Sequence, residues 1–170
     1  ADHGDMMGSH GLIGKYVWYE ESIRIPFVVR VPGNEKRRCR TCIASQDMTP
    51  TLLGILGVSI PSTVEGEDCS SYLLTEKEDL KNFARAGKDP KAFGWRGVRT
   101  QDYTYVIELG YDVMPRPARY LYCTAADPQQ MHPLALDVPE NRRLARQMED
   151  SVIAWMNRQK DGFAENWRRG

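Results

Sequence analysis

The residue types best suited to chemistry are concentrated in the first fifteen positions. Residues 1–15 contain two carboxylates, two imidazoles, one lysine and four glycines. Carboxylates and neutral imidazoles bind metal ions, and a lysine ammonium pairs with oxyanions such as sulfate or phosphate. Because glycine lets the backbone approach a ligand closely, this stretch is a candidate loop that binds a metal and an anion together.

The four cysteines give a weaker signal. Cys39 and Cys42 form a C-x-x-C pair, a spacing found in metal and redox sites. A zinc site needs about two more soft ligands, whereas Cys69 and Cys123 are isolated in the sequence. Arginines flank the pair, and we therefore interpret it as part of a solvated loop.

The composition narrows the classes of partner. The 170 residues include 23 basic and 23 acidic side chains, so the formal net charge is zero. This balance argues against a nucleic acid or an anionic membrane as the main partner, since both require a basic excess. No apolar run approaches the length of a membrane span. The chain opens in mid-motif without Met, so we expect a fragment or processed piece.

The first half of the chain is predicted to position the loop of residues 1–15 with helices and one strand. After a short helix or turn over 16–22, the β-branched, mostly apolar run from Ile23 to Val31 predicts a strand. Asp47 predicts the cap of a helix that runs through Leu56 and ends at Gly57. A capping box at Thr75 and Glu78 predicts a helix to about residue 86.

From Gly94 onwards the pattern is that of an antiparallel sheet followed by a helix. Strands are predicted over 96–100 and 103–109, joined as a hairpin, with a third strand over 120–123. Asp137 predicts the cap of a final helix to about residue 160. Its apolar positions make one stripe that we expect to be core: Leu144, Met148, Val152, Trp155 and Met156.

Several stretches, taken in order, resemble the C-terminal portion of the sulfatase family of the alkaline-phosphatase-like superfamily. Residues 2–5 (DHGD), 8–12 (GSHGL), 14–15 (GK) and 19–27 (YEESIRIPF) are close to the family run "DHGE-x-x-G-x-HG-x-x-x-K … YEESIRIPL". Later matches are weaker: 47–53 (DMTPTLL), 97–100 (GVRT) with 103–105 (YTY), and 121–122 (LY) with 127–128 (DP) and 134–135 (LA).

The resemblance implies an α/β fold. Residues 1–90 would be the C-terminal end of the mixed-sheet catalytic domain, and residues 93–170 a small antiparallel sheet with a C-terminal helix. Two departures, Cys123 in place of Asp and His132-Pro133 before Leu-Ala, fall in the small subdomain.

The resemblance also implies roles for four residues. Asp2 and His3 resemble metal ligands of the family, and Lys15 resembles the lysine that contacts the sulfate oxygens. His10 is a further candidate catalytic-site residue, without an assigned step. The implied cofactor is a divalent metal, with Ca²⁺ favoured and Mn²⁺ or Zn²⁺ expected for phosphonate-cleaving relatives.

The family nucleophile, a formylglycine made in a Cys/Ser-x-Pro-x-Arg motif, is expected only in a missing N-terminal half. None of the four cysteines of this chain has Pro two residues on and Arg four on.

The implied function is part of a sulfuric ester hydrolase acting on sugar or aryl sulfates. A phosphonate monoester or phosphodiester hydrolase of the same superfamily is one alternative, and a non-catalytic folded fragment is another. The family favours a periplasmic, secreted or lysosomal-type compartment. If the strand over 25–31 has lost its neighbours, its exposed edge predicts homo-oligomerisation.

We predict that the purified 170-residue polypeptide hydrolyses no aryl sulfate, because the nucleophile lies elsewhere. A chromogenic aryl sulfate assay with added divalent metal measures this. Metal-dependent hydrolysis that Lys15→Ala abolishes would contradict the prediction.

Overall fold

The computed structural model describes residues 1–75, 84–88, 94–110 and 117–169. These residues form four strands, β1 (Ala84–Lys88), β2 (Gly94–Arg99), β3 (Tyr103–Gly110) and β4 (Ala118–Cys123). They also form five α-helices, α1 (Glu20–Ile23), α2 (Met48–Ile55), α3 (Ser70–Leu74), α4 (Pro139–Arg158) and α5 (Phe163–Arg169). None of the described helices is long and apolar enough to span a membrane.

The four strands make one antiparallel sheet in the order of the sequence. Tyr105 of β3 lies between Val98 of β2 and Leu121 of β4. The turn between β2 and β3 is closed by the Thr100 N–H, which donates to the Tyr103 carbonyl over 2.8 Å. The predicted hairpin and third strand are therefore confirmed.

The two faces of the sheet pack against different parts of the chain. Because side chains alternate along a strand, Tyr105 and Ile107 of β3 point to one face while Val106 points to the other. All three are 0% exposed. The sheet is thus the middle layer of the molecule.

The first face is covered by α4 and α5. The apolar stripe predicted for the last long helix is confirmed as core: Met148, Val152 and Met156 are buried, and Leu144 and Trp155 are partly buried against them. Phe163 and Trp167 of α5, a helix that the sequence patterns did not predict, complete this cluster.

The second face is covered by the segment that precedes and forms α1. Trp18 lies 4.9 Å from Tyr120 in a stacked arrangement and 6.2 Å from Trp95, edge to face. The Arg99 Nε donates to the Glu20 carboxylate over 2.9 Å. These contacts fix the N-terminal segment on the sheet.

The predicted strand over 23–31 is wrong. Residue 23 ends α1, and residues 24–31 form neither a helix nor a strand. No strand among the described residues pairs with this segment, and Pro26 has no N–H to offer to a ladder. Val28 is 92% exposed. An apolar, β-branched run becomes a strand only where a partner lies beside it.

Three helix predictions are corrected in part. Helix α2 begins after Asp47 and is closed by Gly57 at φ 66°, as predicted. The Asp47 carboxylate, however, does not cap α2 and accepts hydrogen bonds from the N–H groups of Ala44 and Glu67. The helix predicted to about residue 86 falls mostly on undescribed residues, and its end is wrong because β1 occupies 84–88. Helix α4 begins at Pro139 after Val138 and has no side-chain cap, so the predicted cap at Asp137 is wrong.

A buried ion pair holds α5 against the sheet. The Arg96 guanidinium of β2 donates to the Asp161 carboxylate over 2.6 and 3.1 Å and lies 4.7 Å from the centre of the Phe163 ring. Burial disfavours the Asp161 carboxylate, but hydrogen bonds from Arg96 and from the Phe163 N–H outweigh it and lower the pKa of this carboxyl.

We expect Asp161→Ala to lower the free energy of unfolding by about 3 kcal/mol, because the buried Arg96 charge loses its partner. Urea unfolding measures the change. Asp150→Ala, which removes an exposed carboxylate from α4, should stay within about 0.5 kcal/mol. Because the pKa is lowered in the fold, the difference between wild type and Asp161→Ala should shrink as the pH falls below about 4. Equal losses of unfolding free energy in Asp161→Ala and Asp150→Ala would refute the role of the Arg96–Asp161 pair.

Candidate functional site

The N-terminal loop folds back on itself through its own backbone. The Met6 N–H donates to the Gly14 carbonyl over 2.7 Å, and the Gly8 N–H donates to the Leu12 carbonyl over 2.8 Å. The Met6 side chain is 1% exposed and anchors the loop. This closure brings the residues before Met6 next to the residue after Gly14.

The closed loop places three of the predicted site residues together. The Lys15 Nζ lies 2.5 Å from the His3 Nε2, and the Asp2 carboxylate lies 3.7 Å from the same nitrogen. The pKa of the Asp2 carboxyl is lowered, first by a backbone hydrogen bond and then by His3 and Lys15. The Asp2 side chain is 90% exposed, so its oxygens are open to a ligand.

The hydrogen bonds of His3 show which of its two ring nitrogens carries the proton. The His3 Nδ1 lies 2.7 Å from the Gly4 carbonyl oxygen, which only accepts, so Nδ1 carries the proton. The lone pair of the neutral ring is then on Nε2, and the Lys15 ammonium donates to it. A backbone carbonyl on the distal nitrogen is the usual orientation of a metal-binding histidine.

The donor set fits half of a metal site. Metal–ligand bonds of about 2.0–2.6 Å allow two donors separated by 3.7 Å to reach one ion. The described residues contain no group of three or more His, Cys, Asp or Glu side chains that could hold a metal. Asp2 and His3 therefore fit as two ligands of a larger shell, and Lys15 must leave His3 Nε2 for a metal to bind there.

A close backbone contact holds the N-terminal loop against α1. The Gly4 N–H donates to the Ser22 carbonyl over 2.8 Å. A Cβ at Gly4 would lie 2.0 Å from the Glu21 carbonyl oxygen. Only glycine permits this approach, so the first Gly of the motif sets the position of Asp2 and His3 relative to α1.

His10 does not join Asp2, His3 and Lys15 and holds the tip of the loop instead. Its ring stacks on Tyr19 with the centroids 3.7 Å apart and the planes 13° apart. Its Nε2 lies 2.8 Å from the Gln129 carbonyl oxygen and donates to it. His10 thus links the loop to the turn after β4.

The same turn holds α1 from the other side. The Gln130 side chain is 1% exposed, and its carbonyl oxygen accepts from the Glu20 N–H over 2.8 Å. Sequence reasoning missed Gln129, Gln130 and the contact with Glu20. No local signal could reveal them, because the partners are 110 and 119 residues apart.

Cys39 and Cys42 do not have the features of a reactive cysteine pair in the structure. Neither Cys39 nor Cys42 is part of a disulfide. Burial is the main cause that raises the pKa of the Cys42 thiol, which is opposite to the lowered pKa of a reactive cysteine.

Comparisons with known proteins point to one family. The family model for the C-terminal part of N-sulphoglucosamine sulphohydrolase matches residues 8–158. An "Ulvan-active sulfatase" of Formosa agariphila is 32% identical over 88% of this chain and 30% of its own length. An "Endo-4-O-sulfatase" of Bacteroides thetaiotaomicron is 31% identical over 87% of this chain and 32% of its own length.

A solved structure agrees with the sequence relatives. It comes from a Bacteroides thetaiotaomicron locus for the metabolism of multiple glycosaminoglycans, and it matches with a TM-score of 0.77 and 26% identity. The match covers 96% of this chain and 37% of that chain. The chain therefore spans about a third of the length of the curated relatives it matches.

We predict that His10→Ala speeds amide hydrogen exchange at Gly8, Gly11 and Leu12, because the tip of the loop loses its attachment. Exchange measured by NMR reports these amides individually. His132→Ala, a change at another surface histidine, should leave them unchanged. Equal protection in wild type and His10→Ala would contradict the attachment.

Proposed function

The chain belongs to the sulfatase family, and from this we propose that it supplies part of the active site of a sulfuric ester hydrolase. The observation that carries the proposal is the 2.5 Å contact between Lys15 Nζ and His3 Nε2 beside the open Asp2 carboxylate. A pair of potential cation ligands and an ammonium group are what a sulfate ester site needs in one place.

In this proposal Asp2 and His3 hold a divalent cation, with Ca²⁺ favoured from the family resemblance. When bound, the cation polarises the sulfate oxygens and stabilises negative charge on them. The Gly4 carbonyl holds the proton of the neutral ring on Nδ1, which leaves the Nε2 lone pair available for the ion. Asp2 and His3 need further ligands, because the described residues hold no group of three or more potential ligand side chains. No cysteine of this chain stands in the formylglycine motif, so the nucleophile would have to come from elsewhere.

Lys15 has a separate task. Its ammonium donates to His3 Nε2 in the structure, and its four-carbon side chain lets it turn to a sulfate oxygen. There it offsets the charge that grows as the ester S–O bond breaks. His10 acts on the geometry rather than on the substrate, because it contacts Tyr19 and Gln129 and holds the loop in place.

We propose a sulfated saccharide as the substrate. The names of the relatives refer to ulvan and to a 4-O-sulfate, and the solved relative belongs to a glycosaminoglycan locus.

A periplasmic, secreted or lysosomal-type location is part of the same proposal. So is self-association through the exposed segment around Val28, which lies outside the strands of the structure.

We expect Lys15→Ala in the full-length protein to lower kcat/KM for a sulfate ester about 10²- to 10³-fold, mostly through kcat, because its charge matters most in the transition state. Steady-state kinetics with an aryl sulfate and a sulfated disaccharide measure this. Lys36→Ala, which changes an exposed lysine in a loop, is the matched control and should change kcat/KM less than twofold.

Two outcomes would refute the proposal. Equal effects of Lys15→Ala and Lys36→Ala would remove Lys15 from the site. Faster turnover of an aryl phosphonate monoester than of the aryl sulfate would assign the site to phosphonate cleavage.

A further inference from the structure

A groove of about 420 Å³ lies along α4 on the face of the sheet that is opposite the N-terminal segment. Its apolar part includes Leu136 and Ile153, and its polar part includes Arg119, Arg142, Arg146 and Glu149. Tyr105 contributes from the α4 side of β3, whereas Val106 packs with Trp18 on the other side. The groove is therefore separated from the Asp2–Lys15 loop by the sheet.

One carboxylate in the groove is already used by the fold. Glu149 accepts hydrogen bonds from the Tyr105 hydroxyl, from Trp167 Nε1 at 2.8 Å and from Arg119 at 3.1 and 3.4 Å. The Arg119 guanidinium also stacks on the Trp167 ring at 4.4 Å. Arg119 and Glu149 thus cancel each other's charge and form a rigid wall.

Two other arginines line the groove without an ion-pair partner among the described residues. Arg142 donates to the backbone carbonyls of Leu136 and Asp137 over 3.1 and 2.9 Å, which fixes its guanidinium without neutralising it. Within the described part of the chain, no carboxylate forms an ion pair with Arg142 or Arg146. The two lie one helical turn apart, where like charges destabilise a helix. Asp150 also lines the groove, so its three arginines and two carboxylates leave a net positive charge.

We propose that this groove binds a sulfate group on a second unit of a saccharide chain, away from the ester that is hydrolysed. Guanidinium groups bind oxyanions through paired hydrogen bonds, and Leu136 and Ile153 offer an apolar floor to the C–H face of a sugar. The groove then holds the polymer while the loop on the other side of the sheet handles the reacting ester. The inference rests on the proposed saccharide substrate.

Titration calorimetry on the full-length protein tests the groove, with a sulfated hexasaccharide of the heparin type as the probe. A Lys15→Ala background keeps the probe from being consumed. We expect Arg142→Gln and Arg146→Gln each to weaken binding roughly tenfold, as the loss of a charge-assisted hydrogen bond predicts.

Arg143→Gln is the matched control, because Arg143 is exposed on the same helix and does not line the groove. It should change the dissociation constant less than twofold. The desulfated hexasaccharide should bind at least tenfold more weakly than the sulfated one, and so should inorganic sulfate.

Three results would overturn the proposal. The first is an equal loss of hexasaccharide affinity in Arg143→Gln and Arg146→Gln. The second is that the desulfated hexasaccharide binds as tightly as the sulfated one, and the third is that inorganic sulfate does so. The exposed Arg146 side chain forms no ion pair within the described residues, so its variant keeps the test valid if Arg142→Gln unfolds. Binding that depends on Arg146 in a protein that cleaves no sulfate ester would contradict the proposed function and leave the groove standing.

Discussion

The structure depends on strand β3 being buried on both of its faces. Tyr105 and Ile107 on one side and Val106 on the other have no exposed surface. A strand covered on both sides needs two apolar layers, and this chain makes them from separate parts of its sequence. Helices α4 and α5 form one layer, and the aromatic segment before α1 forms the other.

This arrangement explains how a glycine-rich loop obtains a defined geometry. The loop buries only Met6 deeply and would be mobile if it were attached by its ends alone. It is instead held by Gly4 against α1, and α1 is held to the sheet by Glu20. Trp18 adds an apolar anchor beside it. The orientation of His3 and Lys15 is therefore set by the sheet, although no strand residue belongs to the loop.

The sequence predicted the elements whose signals are local and missed those that depend on a distant partner. The hairpin, the third strand, the stripe of α4 and the end of α2 at Gly57 follow from patterns a few residues long. The run around Val28 has the pattern of a strand, but among the described residues it has no neighbour to pair with. Helix α5 follows Asp161, whose partner Arg96 is 65 residues away in the sequence. The motif gave the residue types of the site, while the turn that holds His10 could be found only in the structure.

The support of the loop by the turn at Gln129 and Gln130 has a consequence for synthesis on the ribosome. The chain emerges from its N-terminus, so the loop with His3 and Lys15 is made more than a hundred residues before the turn that secures it. Its internal hydrogen bonds can close early, since they join near neighbours. Its final orientation must wait until the end of β4 has been translated. A ribosome that stalls before that point would therefore carry a site loop that is closed but not yet aligned.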